Sequence, residues 1–166
     1  MSQNEALEYK NSGNQNLMKG NLDQAVADFT QAIKLNPNDA EVYYSRNVAY
    51  YGMGVTRTDA HSIDRAIDDC NSALKINPDF AMAYSGRGMA YLSKGEYDKA
   101  LEDFNRALQL NPGDSYAYYG RGGINILKDE YDRGIKDMET SLRINPDNPD
   151  ARRQLEMARK MREMLK

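Results

Sequence analysis

Residues 84–112 read YSGRGMAYLSKGEYDKALEDFNRALQLNP, and the pattern within this stretch indicates the fold class. Its apolar and small residues recur three or four positions apart, which is the period of a helix that packs on one side. They are Tyr84, Gly88 and Tyr91 before Gly95, and Tyr97, Leu101, Phe104 and Leu108 after it. A glycine can adopt the positive φ of a helix end, and a helix stops readily before a proline. The stretch therefore predicts two helices that fold back on each other.

The same pattern occurs four times along the chain. Four Asn-Pro dipeptides mark the repeats, and their prolines lie 41, 34 and 34 residues apart. The dipeptides are Asn36-Pro37, Asn77-Pro78, Asn111-Pro112 and Asn145-Pro146. Small residues recur in register upstream of them, as at Ala25, Ala66, Ala100 and Gly134. A fixed period of this length is typical of stacked helical repeats.

Residues 6–148 resemble the tetratricopeptide repeat family, because most signature positions in residues 84–112 match its pattern and recur at a fixed period. The resemblance implies an all-α fold, a right-handed superhelix (an αα solenoid) of four helical hairpins. We place the repeats at 6–39, 40–80, 81–114 and 115–148, within a single domain over 1–166. Residues 149–166 are expected to form a capping helix, since the last repeat would otherwise expose its apolar side. Ala151, Leu155 and Ala158 are its expected inner face.

The second repeat departs from the pattern between Gly54 and Ala66, where it has 11 residues and the other repeats have 4. The extra stretch lies near residues 55–61. Its β-branched start and its Thr58-Asp59 pair suggest a loop followed by an early cap for the second helix. Seven residues are also close to two helical turns, so a longer helix that keeps its phase fits as well. An insertion of this kind usually maps to one edge of a solenoid, as a tolerated surface loop or a functional element.

The resemblance implies that the first helix of each repeat lines a concave face. Positions on these helices that are not used for packing are basic and amide-bearing at one end, then aromatic and rich in methionine. Tyrosine offers a large amphipathic surface and methionine adapts its shape, and both suit peptide recognition. The candidate groove residues are Lys10, Asn14, Tyr44, Tyr51, Met82, Met89, Tyr116 and Tyr119. We therefore expect a non-enzymatic adaptor or scaffold that binds a linear peptide segment of a partner protein.

One subset of the family grips the C-terminal carboxylate of heat-shock chaperones with five polar side chains. Lys10 and Asn14 match the two donors that the first repeat supplies in that subset. The remaining three positions hold Ser45, Met82 and Gly86. A carboxylate needs converging charge-assisted donors, so a co-chaperone with a degenerate clamp is the weaker interpretation.

Regularly spaced charges indicate ion pairs between repeats. Asp28, Asp69, Asp103 and Asp137 share one register position on the second helices, and Arg46, Arg87 and Arg121 share one on the first helices. The first repeat has Ser12 at the arginine position. Pairing within a repeat would leave Asp28 without an arginine, whereas pairing each aspartate with the arginine of the next repeat gives Asp28–Arg46, Asp69–Arg87 and Asp103–Arg121. We expect these pairs to set the stacking register and not to contact a ligand.

Composition excludes several classes of function. A net charge of −3 and a pI of about 5.3 argue against a general nucleic-acid binder, which needs a basic surface. The single histidine, His61, lies in the insertion, and the single cysteine, Cys70, occupies an apolar packing position. These two residues make no credible zinc or catalytic set. The sequence therefore predicts no enzyme, no cofactor and no bound metal.

The sequence also predicts a cytoplasmic protein. No run approaches the ~18 apolar residues that a membrane-spanning helix needs. The first five residues, MSQNE, carry neither the basic start nor the apolar stretch of a secretory signal. A lone cysteine excludes an internal disulfide, which fits a reducing compartment.

Self-assembly is the competing interpretation. Residues 151–166 carry six basic and two acidic side chains, although the chain as a whole is acidic. They also contain Met157, Met161, Met164 and Leu165, more apolar surface than one packing face uses. Such a helix can dock into an acidic groove of a neighbour and build a head-to-tail oligomer. The alternative is an ordinary cap whose last turns fray, so the sequence is compatible with a monomer or a weak homo-oligomer.

Overall fold

A computed structural model describes residues 2–165, and these residues form helices without any strand. The elements are α1 (Ser2–Met18), α2 (Leu22–Leu35), α3 (Ala40–Arg57), α4 (Ala60–Ile76), α5 (Ala81–Ser93), α6 (Tyr97–Leu110), α7 (Ser115–Leu127), α8 (Tyr131–Ile144) and α9 (Pro149–Met164). The expected all-α class is confirmed. None of these helices is both long and apolar enough to cross a membrane.

The helices stack as a solenoid. Each odd-numbered helix up to α7 packs against the even-numbered helix that follows it, and each even-numbered helix packs against the first helix of the next repeat. Small residues make this spacing possible, because Ala25, Ala66 and Ala100 are completely buried between helices. The odd-numbered helices also contact one another in sequence, so α1, α3, α5, α7 and α9 form one continuous inner layer.

The Asn-Pro dipeptides end the second helices through a shared turn. In every repeat the asparagine Oδ1 accepts a hydrogen bond from the backbone N–H two residues later, at 3.1 to 3.3 Å. The side chain thereby takes the place of a backbone carbonyl and turns the chain. The proline cannot extend the helix, so the two residues together fix where each repeat stops.

The insertion lengthens both helices of the second hairpin. When the second and third repeats are aligned, α3 ends five residues later than α5, and α4 starts three residues earlier than α6. The turn between them is only Thr58 and Asp59; Thr58 has a left-handed φ of 55°, and the Asp59 carboxylate accepts the backbone N–H of His61. The longer-helix alternative is therefore correct, and no extended surface loop is present. The early cap at Asp59 is also present.

At two neighbouring packing positions, the second repeat has a larger side chain in place of a small one and a smaller side chain in place of a large one. In the first and third repeats a glycine lies under a phenylalanine ring, and a Cβ on Gly88 would come within 2.7 Å of Phe104. The second repeat places Asn47 where the others have glycine and Cys70 where they have a larger side chain. Asn47 Nδ2 donates to the carbonyl of Ala66 at 2.9 Å, which satisfies this buried amide. Cys70 is fully buried, as expected, and burial raises the pKa of its thiol.

The predicted ion pairs between repeats are wrong. Each arginine instead binds the aspartate of its own repeat through two hydrogen bonds of 2.7 to 2.9 Å, giving Arg46–Asp69, Arg87–Asp103 and Arg121–Asp137. The Nη1 of each arginine reaches the preceding repeat and donates to a neutral oxygen of Thr30, Asn71 or Asn105.

Asp28 shows why the prediction failed. It has no arginine, but its carboxylate accepts hydrogen bonds from Ser12 Oγ and Asn16 Nδ2, both at 2.8 Å, and from Gln24 Nε2 at 3.1 Å. A buried carboxylate needs donors, and these neutral side chains supply them without a cation. The prediction assumed that Asp28 needs an arginine partner, and this assumption is wrong.

α9 covers the end of the fourth repeat. Ala151 and Ala158 are completely buried and Leu155 is nearly so, as predicted. At its rim, Arg159 donates to Glu139 at 2.8 Å and Arg162 donates to Asp132 at 3.1 Å.

Candidate functional site

The inner layer contains a cleft of about 460 Å³ between α3, α5 and α7. Side chains of all three helices and the turn between α6 and α7 line it. The lining residues are Tyr44, Asn47, Val48, Tyr51, Met82, Ser85, Gly86, Met89, Asn111, Gly113, Asp114, Ser115 and Tyr116. We call this surface the inner cleft.

Helical spacing brings the walls of the inner cleft together. Tyr44, Val48 and Tyr51 follow one another by four and three residues on α3, so they lie on one side of that helix. Met82 and Met89 are seven residues apart on α5 and share a face in the same way. The floor of the cleft therefore consists of tyrosine rings, thioethers and one valine.

Gly86 allows α5 to approach α3 closely beside the inner cleft. A Cβ built on this glycine would lie 2.9 Å from Asn47 Oδ1 and 3.3 Å from Tyr44 Cε2. A larger residue would therefore have to displace the side chains of α3.

The tyrosines are held at different depths. The ring of Tyr44 packs edge-on against Phe80 with centroids 5.5 Å apart, and burial raises the pKa of Tyr44 to about 12. The hydroxyls of Tyr51 and Ser93 share a hydrogen bond of 3.2 Å. Tyr116 is 61% exposed and forms the rim. A ligand can therefore gain contact with Tyr116 at little cost to the packing of the fold.

The inner cleft carries little available charge. No lysine or arginine is among the residues that line it, and its one carboxylate belongs to Asp114. Asp114 is buried and accepts hydrogen bonds from the backbone N–H groups of Tyr116 and Ala117 at 3.0 and 3.1 Å, so it caps α7. The chemistry that the cleft offers a ligand is apolar contact, aromatic faces and neutral hydrogen bonding.

Lys10 and Asn14 lie outside the inner cleft. The Nζ of Lys10 donates to Glu41 at 2.7 Å and to Asp39 at 3.0 Å. These two carboxylates raise the pKa of Lys10 against the opposing effect of burial. Lys10 borders a separate, smaller cavity near the start of α1, and Asn14 is half-buried farther along that helix.

Tyr119 also lies outside the inner cleft. Its hydroxyl accepts a hydrogen bond from Gln154 Nε2 at 3.0 Å, and its ring packs against the apolar core between α8 and α9. The structure thus brings five of the eight predicted groove residues into one cleft: Tyr44, Tyr51, Met82, Met89 and Tyr116.

Several residues of the inner cleft were not among the predicted ones. They include Asn47 on α3 and residues of the turn at 111–115. The turn differs from the others in sequence, because Asn111-Pro112 is followed by Gly113, whereas the other three dipeptides precede Asn or Asp. A Cβ on Gly113 would meet only Asn111 Oδ1 of the same turn, at 3.3 Å, so no contact with the inner helices requires this glycine.

Solved structures with similar folds include protein-binding modules. The first TPR domain of Spaghetti (RPAP3), solved with the HSP90 peptide SRMEEVD, matches with a TM-score of 0.68 and 26% identity over 75% of this chain and 94% of that one. The Arabidopsis OM64 TPR domain matches with a TM-score of 0.67 and 29% identity over 72% and 93%. MamA from Desulfovibrio magneticus RS-1 shares the fold, with a TM-score of 0.76 and 22% identity over 96% and 86%.

Family models agree with the stacked hairpins of the structure. A model described as TPR repeat matches residues 13–54, and two models described as tetratricopeptide repeat match residues 81–114 and 115–148. These matches extend over more than half of the sequence and include the stretch quoted first. The chain belongs to the tetratricopeptide repeat family.

Proposed function

We propose that this protein is a protein-interaction module whose inner cleft binds a linear segment of a partner protein through an apolar anchor side chain. The observation that carries the proposal is the convergence of Tyr44, Tyr51, Met82, Met89 and Tyr116 on one cleft of about 460 Å³. Pockets that hold ligands typically combine such apolar walls with a few polar groups.

The exposed side chains of the inner cleft favour this function over a purely structural role. Met82 and Tyr116 keep 46% and 61% of their surface accessible, although neither is needed to cover the core. Methionine re-packs around differently shaped partners, and tyrosine loses little conformational entropy on binding. An anchor residue inserted between them would remove apolar surface of both molecules from water.

Charge distinguishes this proposal from a carboxylate clamp. Spaghetti (RPAP3) was solved with the HSP90 peptide SRMEEVD, which ends in an aspartate and carries two glutamates. Here Met82 and Gly86 occupy two of the positions that supply cations in such clamps, and Lys10 is already bound by two carboxylates. We therefore expect the ligand to be a segment with an apolar anchor, and its binding to depend little on salt.

The test is a selection of ligands followed by measurement on matched variants. A phage-displayed library of random peptides is selected on the full chain, and the enriched peptide is titrated by fluorescence anisotropy. Met82→Glu is expected to weaken binding about ten-fold or more, since it puts a charge into an apolar cleft. Met18→Glu is the matched control, because Met18 is 89% exposed on α1 and outside the cleft.

Two results would contradict the proposal. One is equal loss of affinity in Met82→Glu and Met18→Glu, both shown to be helical by circular dichroism. The other is enrichment of peptides with an acidic C-terminus whose binding is abolished by Lys10→Ala and by high salt, which would restore the clamp.

A further inference from the structure

Within residues 2–165, no helix covers the outer face of α1, whereas every later first helix is covered by the second helix of the preceding repeat. Glu8 stands in register with Val42, Ala83, Ala117 and Ala151, each of which is buried beside such a second helix. Glu8 itself is exposed. This face of α1 is therefore a helix-packing surface that no described helix occupies.

This surface is an acidic trough of about 610 Å³. It runs along α1 and the end of α2, and its lining residues are Glu5, Glu8, Tyr9, Ser12, Gln31 and Leu35. Tyr9 is 41% exposed, and within residues 2–165 neither glutamate takes part in an ion pair. We call this surface the end trough; it offers two carboxylates beside an aromatic ring.

The outer face of α9 has the complementary chemistry. Arg153, Met157, Lys160 and Met164 lie on the side of α9 opposite its buried stripe, as the helical period requires. Met157 and Met164 are 51% and 82% exposed. Lys160 forms no ion pair with any described residue, and Arg153 donates only to the exposed Asp150 one turn earlier. Such an exposed pair is weak and can be exchanged for another.

We propose that α9 of one copy docks in the end trough of a second copy, so that it packs on α1 as second helices pack on the later first helices. Arg153 and Lys160 would face Glu5 and Glu8, and the two methionines would cover Tyr9 and the end of α2. The contact joins two different surfaces, so repetition gives an open head-to-tail chain of copies. It leaves the inner cleft free, and it does not depend on the function proposed for that cleft.

The strength of this contact is limited by its size. A single helix in a shallow trough buries less than the ~1,200 Å² of a standard interface, so association is expected only at high protein concentration. Because its charges are exposed, association should weaken as salt is added.

A charge exchange tests the proposal. Molar mass is measured by light scattering over a concentration series for the full chain, for Glu5→Lys with Glu8→Lys, and for Arg153→Glu with Lys160→Glu. The wild type is expected to gain mass with concentration, and each double variant alone should need at least about ten-fold more protein for the same mass. Mixing the two double variants should restore association, because each then meets an opposite charge.

Two controls distinguish this contact from an effect of net charge and from association through the inner cleft. Asp68→Lys with Glu102→Lys makes the same change in net charge on exposed positions of α4 and α6 and should associate like the wild type. Met82→Glu should also associate normally. A wild type that stays monomeric at every concentration overturns the proposal. So does association that survives both charge variants, or that is lost in Met82→Glu, since the second copy would then occupy the inner cleft.

Discussion

Tyr44 shows how one residue serves both the fold and the candidate site. Its ring packs against Phe80 while its edge lines the inner cleft, and Gly86 allows the neighbouring helix to approach it. Burial disfavours the phenolate, which raises the pKa of Tyr44 from 10.0 to about 12. A measurement of stability at high pH can therefore report on this side chain.

Tyr44→Phe is expected to remove the part of the pH dependence of stability that comes from the Tyr44 phenol. Between about pH 10 and pH 12 the unfolded tyrosine ionises and the folded one does not, so the wild type loses stability as the pH rises, by about 1 kcal/mol near pH 11. The variant lacks this loss and should match the wild type at neutral pH. Urea unfolding of both proteins at neutral pH and near pH 11 provides the measurement. If the difference in unfolding free energy between the two proteins is the same at both pH values, the phenol is solvated and the prediction is wrong.

At the scale of the elements, all four hairpins turn through one residue with positive φ. The residue is Gly20 in the first hairpin, Thr58 in the second, Gly95 in the third and Asp129 in the fourth. A β-branched residue is strained in this conformation, whereas glycine is not. The second repeat could not use Gly54 for its turn, because this glycine lies inside α3 against the side chain of Ile63.

Opposite substitutions in two turns should therefore have opposite effects. Thr58→Gly is expected to stabilise the protein by about 0.5–1 kcal/mol, because release of the strain exceeds the added entropy of the unfolded chain. Gly95→Ala, with φ of 76°, is expected to destabilise it by about 1 kcal/mol. Thermal unfolding followed by circular dichroism measures both. A lower melting temperature for Thr58→Gly would show that the turn is not strained.

At the scale of the whole molecule, each repeat is stabilised by its neighbours. Phe104 illustrates this, because its ring lies over Gly88 of its own repeat and against Gly120 of the next. Stability in such an array is approximately a sum of repeat and interface contributions, so damage at one end remains near that end. α9 supplies the last of these interfaces.

Leu155→Ala should loosen the fourth repeat first. Truncation of a buried leucine costs about 2–5 kcal/mol, and here it opens the core that α9 shares with α8. Amide hydrogen exchange should become faster in α7 and α8, with little change in α1 to α4. Met157→Ala on the exposed side of α9 is the matched control and should leave exchange unaltered. A uniform increase along the chain would mean that the solenoid unfolds as one unit.

The helices and their order could be predicted from local patterns in the sequence. Helical periodicity, the small residues in register and the Asn-Pro dipeptides act within one or two turns of chain, so they predict the hairpins and the buried stripe of α9 without any knowledge of distant contacts. The aromatic and methionine-rich character of the inner surface could also be predicted, because the first helices carry their tyrosines and methionines on one side.

Contacts between side chains of different helices became clear only from the three-dimensional arrangement. The arginine pattern was compatible with either neighbouring aspartate, and side-chain reach across one hairpin selected Asp69 for Arg46. Tyr119 accepts a hydrogen bond from Gln154 of α9 and lies outside the inner cleft. Lys10 forms ion pairs with Asp39 and Glu41 and also lies outside it. These contacts depend on the distances between helices. Local sequence patterns do not contain those distances, because they follow from how closely the helices stack.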